Sequence, residues 1–174
     1  FVQGSTRGDG LIGEDITQNI KTVESIPLKL KGAVSGEIYI RGEVFLTKKE
    51  FARINKEQEE KGGKIYANPR NTAAGSLRQL DSTITAGRKL NFYAYDLIDP
   101  NNKPRREAVG EPTESSAFKT KRDKYTVLNS WGINTNPNSK VVQTIEEIQK
   151  FRDHWEKERE RLDYELDGVV VSIN

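Results

Sequence analysis

The sequence predicts an α+β domain: one observation favours this class, and two more indicate a single folded domain. Segments with strand and helix patterns alternate irregularly along the 174 residues, without the regular repeat of a parallel α/β sheet. The length suits one domain with a core of its own. Charged residues make up 31% of the chain and hydrophobic residues 34%, with both charge signs interspersed. This mixture is typical of a folded domain with a modest core and not of a disordered chain.

The N-terminal segment is a glycine-rich loop over residues 5–17, with glycines at positions 8, 10 and 13. Glycine permits a positive φ and a close approach of backbone segments, so these positions predict tight turns. A short helical turn is predicted over residues 15–20. The clearest strand follows over residues 37–46, because apolar residues alternate there with polar and aromatic ones.

The next element is a helix with a capping box. Thr47 has the spacing of an N-cap and Glu50 that of the third helical residue. The spacing of apolar residues predicts that Phe51 and Ile54 face the core, and Gly62 marks the end of the helix.

A second helix is predicted over residues 69–80, because Asn68 suits the N-cap and Pro69 the first helical position. The apolar and aromatic run over residues 89–98 predicts a strand that ends in a turn. Residues 99–115 are polar, which predicts a long loop on the surface.

The C-terminal third predicts two helices and a closing strand. The first helix is capped by Ser115 or Ser116 and ends at Gly132; its apolar stripe is Phe118, Tyr125, Leu128 and Trp131. The second begins at a capping box, continues as a charged run to about Arg161 and buries Ile145, Ile148, Phe151 and Trp155. The apolar run over residues 166–173 predicts the strand.

Composition excludes several kinds of site. The chain has no Cys, which excludes disulfides, thiolate nucleophiles and thiolate metal sites, and its single histidine, His154, disfavours a Ser-His-Asp triad. The net charge of +2 is too balanced to indicate a nucleic-acid partner by itself. No apolar run approaches the ~20 residues of a membrane span. Because the chain has no Met, we expect it to be a piece of a longer protein.

Three groups of residues are candidates for chemistry. On the predicted strand, Arg41 and Glu43 share a face with two aromatic residues, as in a solvated face or one wall of a ligand pocket. Arg70 and Arg78 lie eight residues apart on a predicted helix, which separates them by ~12 Å of rise and roughly 80° of rotation. They are therefore either two ordinary surface arginines or a pair that binds phosphates. Asp167 stands before a glycine at the head of an apolar run, where an acid holds a metal, orients a cation or forms a turn.

Taken in order, six segments form a recognisable series. They are Thr6–Gly10, Gly13–Thr17, Ile40–Phe45, Ala67–Asn71, Ala73–Asp81 and Tyr164–Val170. The series resembles the adenylation (nucleotidyltransferase) domain of bacterial-type NAD-dependent DNA ligases from about residue 5 to the C-terminus. The likeness is loosest over residues 99–140, and the run over residues 68–81 is close to diagnostic.

The resemblance implies a fold, a reaction and partners. It implies part of an ATP-grasp-like adenylation domain of mainly antiparallel sheets flanked by helices. A lysine of such an enzyme takes AMP from NAD and passes it to the 5′-phosphate of nicked double-stranded DNA. The nick is then sealed, and magnesium assists the reaction. It also implies a cytoplasmic, monomeric parent without a membrane partner, with zinc confined to a domain beyond residue 174.

The resemblance also implies roles for single residues. Arg7, Glu43, Tyr95 and Val170 match residues that hold the nucleotide, with Tyr95 and Val170 on the two faces of adenine. Arg70, Arg78 and Arg159 match cations that contact the AMP phosphate or the 5′-phosphate of the nick. Asp167 matches an acid that partners a metal or a lysine; no residue of the chain is assigned as a metal ligand.

The chain departs from the family pattern at two places that concern activity. The nucleophilic Lys-x-Asp-Gly motif is expected about twenty residues before Thr6, so residues 1–174 alone are expected to be inactive. Ser172 stands where the family has a phosphate-binding lysine, and loss of that cation would cost about 3 kcal/mol of transition-state stabilisation. These departures leave open a degenerate homologue that binds nucleotides or nucleic acid without ligating. An ATP-dependent ligase or capping-type enzyme is a third reading, against which the run over residues 68–81 argues.

Overall fold

The computed structural model describes residues 1–32, 36–100 and 120–173. The described part contains six α-helices, a short 3-10 helix and a two-stranded antiparallel sheet, as expected for the α+β class. In chain order the elements are α1 (Thr17–Ile20), β1 (Tyr39–Phe45), α2 (Lys48–Glu60), α3 (Pro69–Leu77), α4 (Ser82–Ala86), β2 (Asn91–Ile98), α5 (Lys121–Ser130), α6 (Ile145–Glu158) and the 3-10 helix (Arg159–Arg161).

The chain forms two compact units. Unit 1 comprises Phe1–Lys29, Val44–Phe92 and Val142–Val171, and unit 2 comprises Leu30–Glu43, Tyr93–Val141 and Ser172–Asn174. The core of unit 1 is apolar and is formed by Ile16, Val23, Leu46, Ile54, Ala73, Leu77 and Leu90. In the described part of unit 2, the buried apolar side chains are those of Ala94, Leu97, Leu128 and Ile133.

Three of the predicted N-caps are confirmed, those at Thr47, Asn68 and Thr144. The Thr47 hydroxyl accepts a hydrogen bond from the Glu50 backbone N–H at 3.1 Å, although the Glu50 carboxylate pairs with Arg53 and does not return to Thr47. The Asn68 side chain caps α3. Thr144 forms a reciprocal capping box with Glu147. Local side-chain chemistry therefore sets where these three helices begin.

Two helix boundaries and the burial of one side chain differ from prediction. Helix α3 ends at Leu77 instead of residue 80, and Asp81 caps the unpredicted helix α4. Helix α5 begins later than predicted, with Thr120 as its N-cap; Ser115, Ser116 and Phe118 lie outside the described residues. Ile145 was predicted to be buried but is 69% exposed.

The closing strand over residues 166–173 was predicted wrongly. These residues have no strand pairing in the described part of the chain, and Val170 is 85% exposed. Valine and isoleucine favour extended backbone, but a strand also needs a partner whose backbone completes its hydrogen bonds.

The glycine-rich segment folds as a hairpin over residues 4–16, which we call the glycine hairpin. Ser5 and Asp15 form an antiparallel bridge, and the Thr6 N–H donates to the Glu14 carbonyl at 3.0 Å. At the tip, one Asp9 carboxylate oxygen accepts from the backbone N–H groups of Ile12 and Leu11, at 2.8 and 2.9 Å. These bonds, that to Ile12 foremost, lower the pKa of Asp9 from its ordinary value.

Two glycines of this hairpin lie against backbone. A Cβ on Gly13 would lie 1.9 Å from the Thr6 carbonyl oxygen, and one on Gly8, whose φ is +54°, would lie 1.7 Å from that of Ile12. A side chain at either position would push the two arms of the hairpin apart.

None of the helices in the described part of the chain combines the length and the apolar composition that crossing a membrane requires.

Substituting Gly13 by Ala is expected to lower the free energy of unfolding by about 1–3 kcal/mol, because the added methyl group overlaps backbone that must move. Gly75→Ala is the matched control, since nothing lies within 4 Å of a Cβ there. Because Gly75 is inside α3, that variant should be more stable by up to about 1 kcal/mol. Urea unfolding of both variants measures the difference, and equal stabilities would contradict the role given to Gly13.

Candidate functional site

Helix α3 is the element that carries the two predicted phosphate-binding arginines. Arg70 is its second residue and Arg78 is its C-cap, with φ of −102° and ψ of 11°. The prediction that both lie inside one helix was therefore wrong for Arg78, which begins the turn after the helix. Both arginines remain exposed, and they lie at opposite ends of a nine-residue helix.

The structure brings Arg70 together with Asp167. The Arg70 Nη1 lies 3.0 Å from the Asp167 Oδ2, and the two side chains are 67% and 77% exposed. An exposed ion pair of this kind contributes about 0–1 kcal/mol. The carboxylate therefore orients the guanidinium without sequestering it.

Arg78 has a corresponding acid in the glycine hairpin. Its guanidinium Nε donates a hydrogen bond to the Glu14 carboxylate, and both side chains are more than half exposed. Each arginine of α3 is thus oriented by an acid from a distant part of the sequence, in both cases within unit 1.

The end of α3 is fixed by a buried side chain, that of Asn19. The Asn19 side-chain Nδ2 donates to the Leu77 carbonyl oxygen at 2.6 Å and to the Gln79 carbonyl oxygen at 2.8 Å. These two carbonyl groups flank Arg78. Because helix ends leave carbonyls without helical partners, Asn19 provides a cap and also joins α1 to α3.

A second polar network, centred on Arg88, contacts Ser76 of α3. The Arg88 guanidinium donates to the Ser76 hydroxyl at 2.7 Å and to the Tyr66 hydroxyl at 3.0 Å. It also lies 5.3 Å from the centroid of the Tyr66 ring, within range of a cation–π contact. Beside this network is an open cavity of about 200 Å³, lined by Tyr66, Ala67, Asn68, Asn71, Thr72, Gly75, Gln79 and Arg88.

The predicted nucleotide-binding residues are on both units. Glu43 is on the exposed face of β1, where burial alternates as predicted over residues 39–44 but not at Phe45. Tyr95 is on β2 with 43% of its surface exposed, and Glu43 and Tyr95 both belong to unit 2. Arg7 is exposed near the tip of the glycine hairpin, and Val170 is exposed; both belong to unit 1.

Among the described residues, no contact links Arg159 to Arg70 or Arg78. It begins the 3-10 helix after α6, and its Nε lies 3.7 Å from the carboxylate of the adjacent Glu160. Its predicted role stays a prediction.

Sequence reasoning missed Asn19, Arg88 and the role of Glu14. Asn19 left a readable signal, because Ile16, Ile20 and Val23 define the buried face of α1 and its flanks, and Asn19 falls on that face by the same spacing. A polar residue on an apolar face needs hydrogen-bond partners. Nothing in the sequence pairs Glu14 with Arg78, since they are 64 residues apart.

Within residues 1–32, 36–100 and 120–173, no group of three His, Cys, Asp or Glu side chains is arranged to hold a metal ion.

Comparisons with known proteins agree with one another. A family model described as NAD-dependent DNA ligase adenylation domain matches residues 1–174. A protein named DNA ligase from Bacillus cytotoxicus is 44% identical over 174 residues, which are 100% of this chain and 24% of that relative. Proteins of the same name from Bacillus thuringiensis (strain Al Hakam) and Bacillus cereus (strain B4264) are each 42% identical, with the same coverage. The chain thus spans about a quarter of the length of these curated relatives.

Substituting Asn19 by Ala is expected to lower the free energy of unfolding by about 1–3 kcal/mol, because two carbonyl groups then lose their donor. The neighbouring Gln18 is exposed, so Gln18→Ala is the matched control and should leave stability within about 0.5 kcal/mol of the parent chain. Urea unfolding monitored by circular dichroism distinguishes the two. Equal unfolding midpoints for both variants would contradict the capping role.

Proposed function

This chain belongs to the family of NAD-dependent DNA ligase adenylation domains, and from that premise we propose that it is part of an enzyme that seals nicks in double-stranded DNA. We propose for it the nucleotidyltransferase fold of that family. The substrates are then NAD and a DNA end that carries a 5′-phosphate next to a 3′-hydroxyl.

The proposed reaction has three displacements at phosphorus. A lysine amine, placed by the resemblance before residue 1, attacks the α-phosphorus of NAD; the P–N bond forms, nicotinamide mononucleotide leaves with the bridging oxygen, and the amine loses a proton. An oxygen of the DNA 5′-phosphate then attacks the phosphorus of the lysine-bound AMP; a P–O bond forms, the P–N bond breaks and the lysine amine regains a proton. Finally the 3′-hydroxyl attacks the phosphorus of that 5′-phosphate, loses its proton and releases AMP. Such steps depend on positioning and on neutralisation of charge.

The observation that carries the proposal is the pair of exposed arginines at the two ends of α3, each oriented by a carboxylate. A guanidinium offers a planar set of donors that matches a phosphate. Because the ion pairs with Asp167 and Glu14 are exposed and weak, a phosphate bearing more charge can displace either acid. We assign Arg70 and Arg78 to the AMP phosphate or to the 5′-phosphate of the nick.

The nucleoside half of the substrate is assigned to four other residues. We propose that Tyr95 and Val170 each contact adenine, that Glu43 accepts hydrogen bonds from the adenosine, and that Arg7 helps to hold the nucleotide. All four are exposed in the structure, as residues that meet a ligand from solvent need to be. Arg159 is assigned to phosphate on the resemblance alone.

Magnesium would neutralise charge on the transferring phosphates when bound. The described residues do not form a cluster of three ligand side chains, so no residue of this chain is assigned to the ion. Asp167 keeps its role as the partner of Arg70.

A second candidate function is a binding module that has lost adenylation. The observation that favours it is Ser172, a neutral side chain where the family pattern has a lysine. Adduct formation separates the two candidates, because a binding module contacts the nucleotide without forming a bond to it.

The full-length protein is expected to gain one covalently bound AMP on incubation with NAD and magnesium, as measured by intact mass. Residues 1–174 alone lack a Lys-x-Asp-Gly motif and are the matched negative control. An adduct formed with ATP and not with NAD would overturn the assignment of the substrate. No adduct from the full-length protein with either nucleotide would favour the binding module.

A further inference from the structure

Arg88 is a half-buried cation to which the proposed reaction assigns no role. Its guanidinium donates to the Ser76 hydroxyl at 2.7 Å and to the Tyr66 hydroxyl at 3.0 Å, and it lies over the Tyr66 ring. These partners are uncharged, and no residue in the described part of the chain forms an ion pair with Arg88. A guanidinium has five N–H donors, so some remain after these two hydrogen bonds. A partly desolvated cation without an acid is unfavourable unless an anion joins it.

Another half-buried arginine of unit 1, Arg53, provides an internal comparison. Its guanidinium pairs with the carboxylates of Glu50 and Glu57, so its charge is balanced within α2. Glu57 also lines a cavity with Arg88, but it pairs with Arg53. The fold therefore neutralises the charge of Arg53 and holds Arg88 by neutral hydroxyl groups.

The open cavity beside α3 gives Arg88 access to a ligand. The cavity has a volume of about 200 Å³, and Arg88 and Asn71 are among its lining residues. As far as the described residues go, no Asp or Glu side chain lines it. Pockets that enclose a whole small ligand measure about 300–1,000 Å³. An open cavity of this smaller size suits one phosphate group whose attached chain remains outside.

The cavity is on the side of α3 next to the two arginines already assigned to phosphate. Asn71 and Gly75 line it, and they follow Arg70 and Ala74 by one residue, which is about 100° around a helix. Glycine inside a helix costs up to about 1 kcal/mol relative to alanine. Nothing lies within 4 Å of a Cβ built at Gly75, so packing among the described residues does not require this glycine. Close approach of a ligand accounts for it.

Resting on the function proposed above, we propose that this cavity binds a phosphate group of the DNA backbone, with Arg88 as the cation that holds it. The free N–H groups of the guanidinium donate to the phosphate oxygens. Because Ser76 and Tyr66 hold Arg88 without neutralising it, the site is formed before DNA binds. This phosphate is a further one, beyond the phosphate assigned to Arg70 and Arg78, so α3 contacts the substrate on two adjacent sides.

The test is the binding of full-length Arg88→Gln to nicked duplex DNA over a series of salt concentrations. Loss of one phosphate contact should reduce the slope of log K against log salt by about 1. Binding at low salt should weaken about 10-fold, as for loss of one hydrogen bond to a charged group. The matched control is Arg152→Gln, since Arg152 is exposed and paired with Asp153, and it should keep the parent slope and affinity.

The rate of AMP adduct formation from NAD identifies the source of the phosphate. A parent slope for Arg88→Gln overturns the inference; if adduct formation is slow in that case, the cavity holds a phosphate of the nucleotide instead. A reduced slope supports the inference at any rate of adduct formation, because the slope counts contacts with DNA phosphates.

Melting temperatures separate binding from folding. If Arg88→Gln melts lower than the parent protein, Arg88→Lys decides, because lysine restores the charge without the planar guanidinium that the two hydroxyl groups hold. A slope near that of the parent then supports the inference, and a slope as low as that of Arg88→Gln overturns it.

Failure of the inference is distinguishable from failure of the proposed function. A parent protein that binds nicked DNA and forms the AMP adduct, with a parent slope for Arg88→Gln, overturns the inference alone. A parent protein that forms no adduct with NAD overturns the proposed function, whatever the slopes are. A parent protein that does not bind nicked duplex DNA overturns both.

Discussion

The side-chain amide of Asn19 is the contact on which the geometry of α3 depends. It is 7% exposed and donates from one nitrogen to the carbonyl oxygens of Leu77 and Gln79. Because those carbonyls flank Arg78, this contact sets where α3 ends and where the Arg78 backbone lies. Asn19 follows the glycine hairpin directly in sequence. The same contact therefore holds that hairpin, including Glu14, close to Arg78. A buried amide without partners would cost about 1–3 kcal/mol, so an arrangement that leaves Asn19 buried and unpartnered is disfavoured by about that amount.

The electrostatics of unit 1 follow from this arrangement. Asp167 and Glu14 hold the two arginines of α3 in an exposed setting where each ion pair contributes about 0–1 kcal/mol. Such pairs are strong enough to orient a guanidinium and weak enough to be exchanged for a phosphate. A buried pair would have been costly to break and would have withheld both arginines from a substrate. Exposure therefore leaves both arginines accessible to the phosphate that we propose they bind.

The parts of the structure that could be predicted from the sequence are those decided locally. The caps at Thr47, Asn68 and Thr144 and the alternating face of β1 are each specified by residues within a few positions of one another. The predictions failed where contacts between residues far apart in the sequence determine the structure. Helix α3 stops early because α1 caps it, and the run over residues 166–173 has strand composition without a described strand partner. For the candidate site, residue types in order led to the prediction of Arg70, Arg78 and Asp167. The contacts of Glu14 and Arg88 arise only from folding.

The central claim is that the arginines of α3 face phosphate, and the salt dependence of binding to nicked duplex DNA tests it most directly. Dissociation constants of the full-length protein and of its Arg70→Gln and Arg78→Gln variants would be measured over a series of salt concentrations. If each arginine contacts a DNA phosphate, its loss should reduce the slope of log K against log salt by about 1. Arg152 is exposed and paired with Asp153 at 2.7 Å, so Arg152→Gln is the matched control and should leave the slope unchanged. Parent-like slopes for both variants, together with parent-like rates of AMP adduct formation from NAD, would contradict the account, because neither the DNA phosphate nor the AMP phosphate would then depend on either arginine.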